Sequence, residues 1–317
     1  MTSFRWPDNA RCAVVVTVDF NDEHGILTQE PRIAGREKSL SVWRYGAKRG
    51  VDRVLDAFDE FDLRASWFVP GRVVQTHSDL LRRIDAQHHE IGTSGFRCEN
   101  FDTLTLVQQK SAFHDGQQAL MDVLGRRAEG FRSFTGNWAP GFADFLRAEG
   151  IAWSSSWRGD DLPYFHLPDT QAGASGASHP ASHHAPLVEL PLHYELEDEP
   201  YFVYNLSPAV PVGQPRIPSY REVLANWKQD FAAFHRFGLC FVLRLHPELI
   251  GTAGRIDVLR ELLGEMRAHD DVWFATGAEV AHWWRDNVDG NEPGHPVEIF
   301  ARHRDSRDSR DTARTLR

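Results

Sequence analysis

The sequence predicts an α/β fold: a mainly parallel sheet closing into a single distorted (β/α) barrel of the TIM-like kind. Three observations predict it. Short apolar, β-branched runs alternate with amphipathic helical stretches along the 317 residues. The runs are apolar at successive positions, as strands buried on both faces must be, which favours parallel over antiparallel pairing. About eight such β–α units are present, enough to close a barrel. An open doubly wound sheet is the alternative, weakened because no GxGxxG follows the first run.

Taken in order, "AVVVTVD" (13–19) is the first strand, and "GVDRVLDAFDEFD" is the first clear helix. There Val51, Val54, Leu55, Phe58 and Phe61 share one face at the 3.6-residue period. Strands follow at "RASWFV" (64–69), "HEIGTS" (89–94), "GFRSF" (130–134), "IAWSSS" (151–156) and "LVELP" (187–191). "CFVLRLH" (240–246) and "VWFAT" (272–276) complete the set. Helices fit 104–126, 140–149 and 219–237, and "RIDVLRELLGEM" places Ile256, Leu259, Leu262, Leu263 and Met266 on one face. The barrel domain is expected over 1–295. "DTQAGASGASHPASHHAP" (169–186) reads as a flexible insertion, and the charged 296–317 as a disordered tail.

Composition excludes several functions. A formal charge of −10 argues against nucleic acid, an anionic membrane surface or a polyanionic substrate as partner. Cys12, Cys98 and Cys240 are too few and too scattered for a disulfide framework. "MTSFRWPDNARC" has no signal-peptide pattern and no run is long enough to span a bilayer, so a cytoplasmic protein is expected.

Chemistry in a parallel barrel sits at the C-terminal ends of its strands. Those ends carry Asp19, Ser94, Arg132, Ser155, Glu189 and His246, with Asp160 and Asp161 in a following loop. Asp19 closes a wholly apolar strand, where a carboxylate is costly unless paired, capping or functional. His246, in "LRLHPE", could act as general acid or base, or satisfy a backbone carbonyl. The paired aspartates of "WRGDDLPY" could orient an arginine or a substrate, or cap a turn. Trp138, Trp157 and Tyr164 could wall a pocket for a small ring.

Several segments together resemble a known family: "RASWFVPG", "HHEIGTSGF", "GFRSF", "GDDLPYF" and "LRLHPELIG…GRIDVLRELL…VWFATGAEVAHWW". They resemble the polysaccharide deacetylase (NodB-homology, carbohydrate esterase family 4) superfamily from about Trp6 to Trp284. More narrowly, "YGAKRGVDRVLDAF" and "GDDLPYF" resemble its cytoplasmic branch of metal-independent allantoinases and cyclic-imide hydrolases. The resemblance implies a distorted barrel and hydrolysis of a non-peptide C–N bond. Asp19 matches the family's catalytic acid, Arg132 the arginine orienting it, and His246 the late-motif histidine that protonates the leaving amine. Ser133 and Phe134 depart from the family's Arg-x-Pro. Asp160 and Asp161 fall on the branch's "GDD" acids and Asp198 on a later acidic position.

The family's three metal ligands fall on Asn21, Ser94 and Cys98, and a neutral amide, a hydroxyl and one thiol are a poor zinc set. The expectation is therefore no cofactor. Asp19 or Glu23 would activate water, His246 would serve as acid, and Ser94, Cys98, Asp160, Asp161, Trp138, Tyr164 and Asp198 would contact a small-molecule substrate. A zinc enzyme with ligands rebuilt from Asp19, Glu23, His24 and Cys98, and an inactive binding protein, are the alternatives. The resemblance also implies a homo-oligomer.

Overall fold

The computed structural model describes residues 5–168, 185–203 and 216–297. The 169–186 insertion and the 296–317 tail lie almost wholly outside them. Among the described residues nine strands form one sheet: β1 (Cys12–Asp19), β2 (Ser66–Val69), β3 (Glu90–Thr93), β4 (Gly130–Phe131), β5 (Trp153–Ser154), β6 (Tyr164–Phe165), β7 (Val188–Glu189), β8 (Cys240–Leu245) and β9 (Val272–Phe274). Their order is β6-β7-β5-β4-β3-β2-β1-β8, with β9 also on β1. All pairings are parallel except β6 on β7, a two-residue strand that the sequence had shown only as loop.

The distortion has a visible origin. β9 pairs with β1 over Cys12–Val14, and β2 takes the same edge over Thr17–Asp19. Between the β6–β7 end and β8 the gap is bridged by loops rather than by a strand. The Asp161 carbonyl accepts from Cys240 N at the start of β8, and Glu197 makes a parallel bridge with Arg244 near its end. The barrel is thus a curled sheet sealed by irregular backbone.

Helices α1 (Asp22–Gln29), α2 (Glu37–Trp43), α3 (Val51–Glu60), α4 (Gly71–Thr76), α5 (Ser78–Ala86), α6 (Leu106–Leu124) and α7 (Phe142–Ala148) cover the first half. The second half carries α8 (Glu199–Phe202), α9 (Tyr220–Phe237), α10 (Pro247–Ile250), α11 (Ile256–Arg267) and α12 (Gly277–Asn287). The apolar stripes read from the sequence are the buried ones: Val51, Val54, Leu55 and Phe58 in α3, and Ile256, Leu259, Leu262, Leu263 and Met266 in α11. Phe61 lies just past the end of α3, partly buried against the same core.

The period-two alternation of the long strands separates two faces. Cys12, Val14, Val16 and Val18 of β1 and Phe241, Leu243 and Leu245 of β8 pack outward under the helices. Ala13, Val15, Cys240 and Val242 point inward and meet Phe68, Trp153, Val280 and Trp284. The N-terminal half of the interior is therefore a largely apolar plug, in which the inward polar groups Ser66 and Glu90 are bonded to each other, to Trp153 and to the first N–H groups of α12.

One backbone contact fixes the other end. A Cβ on Gly50 would lie 2.0 Å from the Pro247 carbonyl oxygen, and one on Gly251 2.4 Å from the same atom. The approach of α3 to α10 thus depends on bare glycine backbone, and it places the turn that begins at His246.

Candidate active site

Continuing the inward alternation of β1 past Ala13 and Val15 gives Thr17 and Asp19. On β8, past Cys240 and Val242, it gives Arg244 and His246. Arg132 leaves β4 on the same side. These five side chains crowd the C-terminal mouth. Asp19 is 2% exposed and Arg132 1%. Asp19 Oδ1 accepts from Arg132 Nη1 at 2.6 Å, and Oδ2 accepts from Arg244 Nε at 2.8 Å with Nη2 at 2.7 Å. Arg132 also donates to Thr17 Oγ1 and to the Ser155 carbonyl and hydroxyl, with its guanidinium 4.2 Å above the Phe68 ring. Arg244 Nη1 continues to Glu197 at 2.9 Å, and Glu197 meets Arg158 Nη2 at 2.6 Å. The mouth is built on an alternating chain of five charges, Arg132–Asp19–Arg244–Glu197–Arg158.

Burial alone would raise the Asp19 pKa, but Arg132 and Arg244 override it and hold the carboxyl well below the usual range. This bears on its role: a permanently ionised carboxylate with both oxygens engaged is a poor proton acceptor. Arg244 and Glu197 were not singled out from the sequence, although Cys240-Val242-Arg244-His246 is a legible inward face of "CFVLRLH".

His246 forms the second unit. Its Nδ1 lies 2.7 Å from Asp198 Oδ1, and its backbone N–H donates to Asp198 Oδ2 at 2.8 Å. Asp198 is 0% exposed and sits immediately before α8. Its own N–H donates to the Arg244 carbonyl, which pins the carboxylate beside His246. Burial pulls the imidazole pKa down, but the Asp198 carboxylate outweighs it and pushes the value up to about 9. At neutral pH the imidazole is charged and can give up a proton.

The shift predicts a pH-dependent stability. The folded-state pKa of His246 lies above its ordinary 6.5, so the stabilisation is complete below about 6.5 and lost as pH rises towards about 9. Urea midpoints of the wild type are expected to fall through that window. Asp198→Asn should flatten this limb, and an equally steep fall in that variant would mean that the pair does not cause it.

Glu248, two residues on, is 5% exposed, and its Oε2 has no hydrogen-bond partner among the described residues. Burial raises its pKa to about 8. Asp22 is likewise buried, with Oδ2 at 2.9 Å from His77 Nε2 and Oδ1 without a partner among the described residues. Neither was singled out as catalytic from sequence, since an acid in a loop looks the same whether solvated or buried.

Of the positions that the resemblance assigns to metal ligands, two meet. Asn21, Ser94 and Cys98 are all buried, and Cys98 Sγ lies 3.8 Å from Asn21 Oδ1. Burial, reinforced by the nearby Glu99, Asp19, Glu248 and Asp22, raises the thiol pKa well above its usual value. Zinc fits this set poorly: it offers an amide, a hydroxyl and a protonated thiol. The rebuilt set is not assembled either. Asp19 is committed to two arginines, and Glu23 is drawn to Arg44 Nε at 2.6 Å. Glu23 therefore does not hold the position expected of a base.

Other expected site residues fall elsewhere. Asp161 abuts Cys240, the first residue of β8, and so lies at the opposite end of the barrel from His246, about 20 Å along the strand. Asp160 caps the turn through the N–H groups of Asp161 and Leu162 and binds His295 at 2.8 Å, and Asp161 meets His193 at 2.9 Å. The capping reading of this pair is the one the geometry supports. Tyr164 packs on His295 at that same end, where Asp160, Leu162, Tyr164, Trp284 and His295 line a cavity of about 150 Å³. Trp138 packs on Phe131 and Phe142, residues of the cluster beneath α7, and on Trp157 and His166. Glu189 is buried there, bonded to His166 and to the N–H groups of Ser156 and Trp157. None of these residues contacts the Asp19–His246 mouth, because short irregular strands do not keep the inward register that sequence spacing assumes.

The site is thus the mouth of a distorted parallel barrel where a buried acid is paired with two arginines beside a histidine–aspartate dyad. Residues 40–152 match the family model described as polysaccharide deacetylase. A solved Mycobacterium smegmatis structure assigned to the polysaccharide deacetylases superposes with a TM-score of 0.81 at 28% identity, covering 92% of this chain and 97% of that one. A Helicobacter pylori peptidoglycan deacetylase is 21% identical, over 76% of this chain and 86% of its own. A solved allantoinase, PuuE, shares the fold at a TM-score of 0.72 and 22% identity, covering 90% of this chain and 95% of that one. Residues 40–152 thus match a polysaccharide deacetylase domain, and over most of its length the chain is similar to deacetylase-like hydrolases. No helix among the described residues is long and apolar enough to cross a membrane.

Proposed function

We propose that the protein hydrolyses a non-peptide C–N bond in a small amide, cyclic imide or ureide, with the charges of its own side chains doing the work that zinc does in family deacetylases. The observation that carries this reading is the meeting, at one barrel mouth, of the His246–Asp198 pair with the Asp19 carboxylate held by Arg132 and Arg244. The substituted metal positions support it. So does the fold shared with an allantoinase as well as with deacetylases.

In this reading Asp19 is an anchor that fixes both guanidiniums. Arg244 has five N–H donors, of which the bonds to Asp19 and Glu197 use three, and a developing oxyanion can compete for the others. His246, charged at neutral pH, protonates the departing nitrogen. Glu248, in the fraction that is ionised at neutral pH, is the proton acceptor for water. It is electrostatically coupled to His246 and Cys98, and its pKa of about 8 suits proton transfer near neutrality far better than that of Asp19. Ser94 and Cys98 remain as substrate contacts. A strained ring needs less help from the oxyanion site than a plain acetamide, which favours ring opening.

The test is turnover of hydantoin, allantoin, succinimide and an N-acetylated amino sugar by chelator-stripped enzyme. The expected result is opening of at least one ring, undiminished by chelator, with Glu248→Gln losing turnover. Activity confined to acetyl release from the sugar, and only with zinc restored, would overturn the reading. The closed clamp on Asp19 favours a second reading, a binding protein without turnover. Calorimetric binding of one ring compound without any product would select it.

A further inference from the structure

At the end of the barrel away from the mouth, the geometry points to a binding site for a divalent transition-metal cation of the zinc class, formed by His235, His269 and Asp271. One donor atom from each residue lies within 4.8 Å of the others, and among the described residues no other group of three His, Cys, Asp or Glu side chains meets that spacing. His235 Nε2 is 2.6 Å from Asp271 Oδ1, and the two imidazoles lie at 50° to each other with centroids 4.7 Å apart. Donor atoms around tetrahedral zinc are separated by about 3.3 Å, from bonds of about 2.0–2.1 Å. Closing the trio requires only small rotations of side chains that reach the surface, with Asp271 48% exposed.

The scaffold is prepared for a cation. His235 lies in the last turn of α9 and His269 two residues beyond α11, so two helix C-termini, each carrying partial negative charge, converge there. The buried Phe231 ring backs both imidazoles, at 6.0 Å from His235 and 5.3 Å from His269. Asp271 is fixed from behind, its carbonyl accepting from Arg11 N ahead of β1. The nearby cations are drawn aside. Arg236 lies over the Phe237 ring, Arg267 lies over the Phe274 ring, and Arg11 donates to the Arg236 carbonyl. Two imidazoles and a carboxylate are a borderline-soft set that suits zinc better than calcium or magnesium, with water completing the tetrahedron. Such an ion would staple α9 and α11 to the start of β9. This site is independent of the chemistry proposed for the mouth.

The experiment is a Zn²⁺ titration of the chelator-stripped full chain against a chromophoric chelator, followed by Co²⁺ substitution. Wild type is expected to take up one equivalent, with a Co²⁺ spectrum free of thiolate charge-transfer bands. His269→Ala and Asp271→Asn should each weaken binding by about tenfold or more, whereas Cys98→Ser should leave it unchanged. His269 is the informative position, because its ring contacts are Phe231 and His235 and the variant should fold. Failure of wild type to bind zinc, retention of the zinc in His269→Ala, or its loss in Cys98→Ser would each overturn the proposal.

Discussion

Asp19→Ala is expected to destabilise the fold by about 3–5 kcal/mol, the cost of removing one partner from a buried ion pair. The reason is what the carboxylate leaves behind. Arg132 is 1% exposed and Arg244 8%, and Asp19 is the anion that lies between them. Without it two guanidiniums repel each other above a largely apolar plug, and Thr17, Ser155 and Glu197 offer only one full counter-charge between them. Asp19→Asn should be as costly or nearly so, since the shape is kept but the charge is not, and the amide NH₂ faces an arginine. Urea denaturation of the two variants at neutral pH measures this directly. A loss below about 1 kcal/mol, the range of an exposed pair, would show that the clamp is not the buried structure described above.

His246→Gln is expected to lower turnover by about 10²–10⁴-fold, the range for loss of a positioned general acid, with a much smaller change in KM. Glutamine can still donate one hydrogen bond but cannot deliver a proton. Asp198→Asn should follow the same direction. It leaves the histidine in place but removes the carboxylate that raises its pKa, so the alkaline limb of the kcat profile should move below about 9. If His246→Gln loses substrate affinity instead, with kcat retained, the imidazole binds substrate and another group protonates the leaving nitrogen.

The residues that were readable in advance share one property: they end long, regular strands. Asp19 and His246 close β1 and β8, where eight and six consecutive buried residues hold the alternation without slippage. Arg244 was equally readable by that rule. Arg132 came from its family motif, one residue beyond a two-residue strand. The errors lie where regular structure is short. Glu23 and Asp22 are adjacent at the start of α1, and Asp22, at a φ of 50°, is the one turned inward while Glu23 meets Arg44. Asp160 and Asp161 matched a motif, but the chain carries that loop back to the start of β8.

By itself, then, the sequence determined the α/β class, the mainly parallel sheet and the amphipathic helices that cover it, because apolar periodicity and residue identity are local properties. Only the tertiary structure decided which charges pair. Coulomb interactions depend on distance and burial across separations of more than a hundred residues, as between Asp19 and Arg132 or Arg244. That pairing engages both Asp19 oxygens with arginines, while burial raises the Glu248 pKa to about 8, and the proposed roles of the two acids rest on this difference.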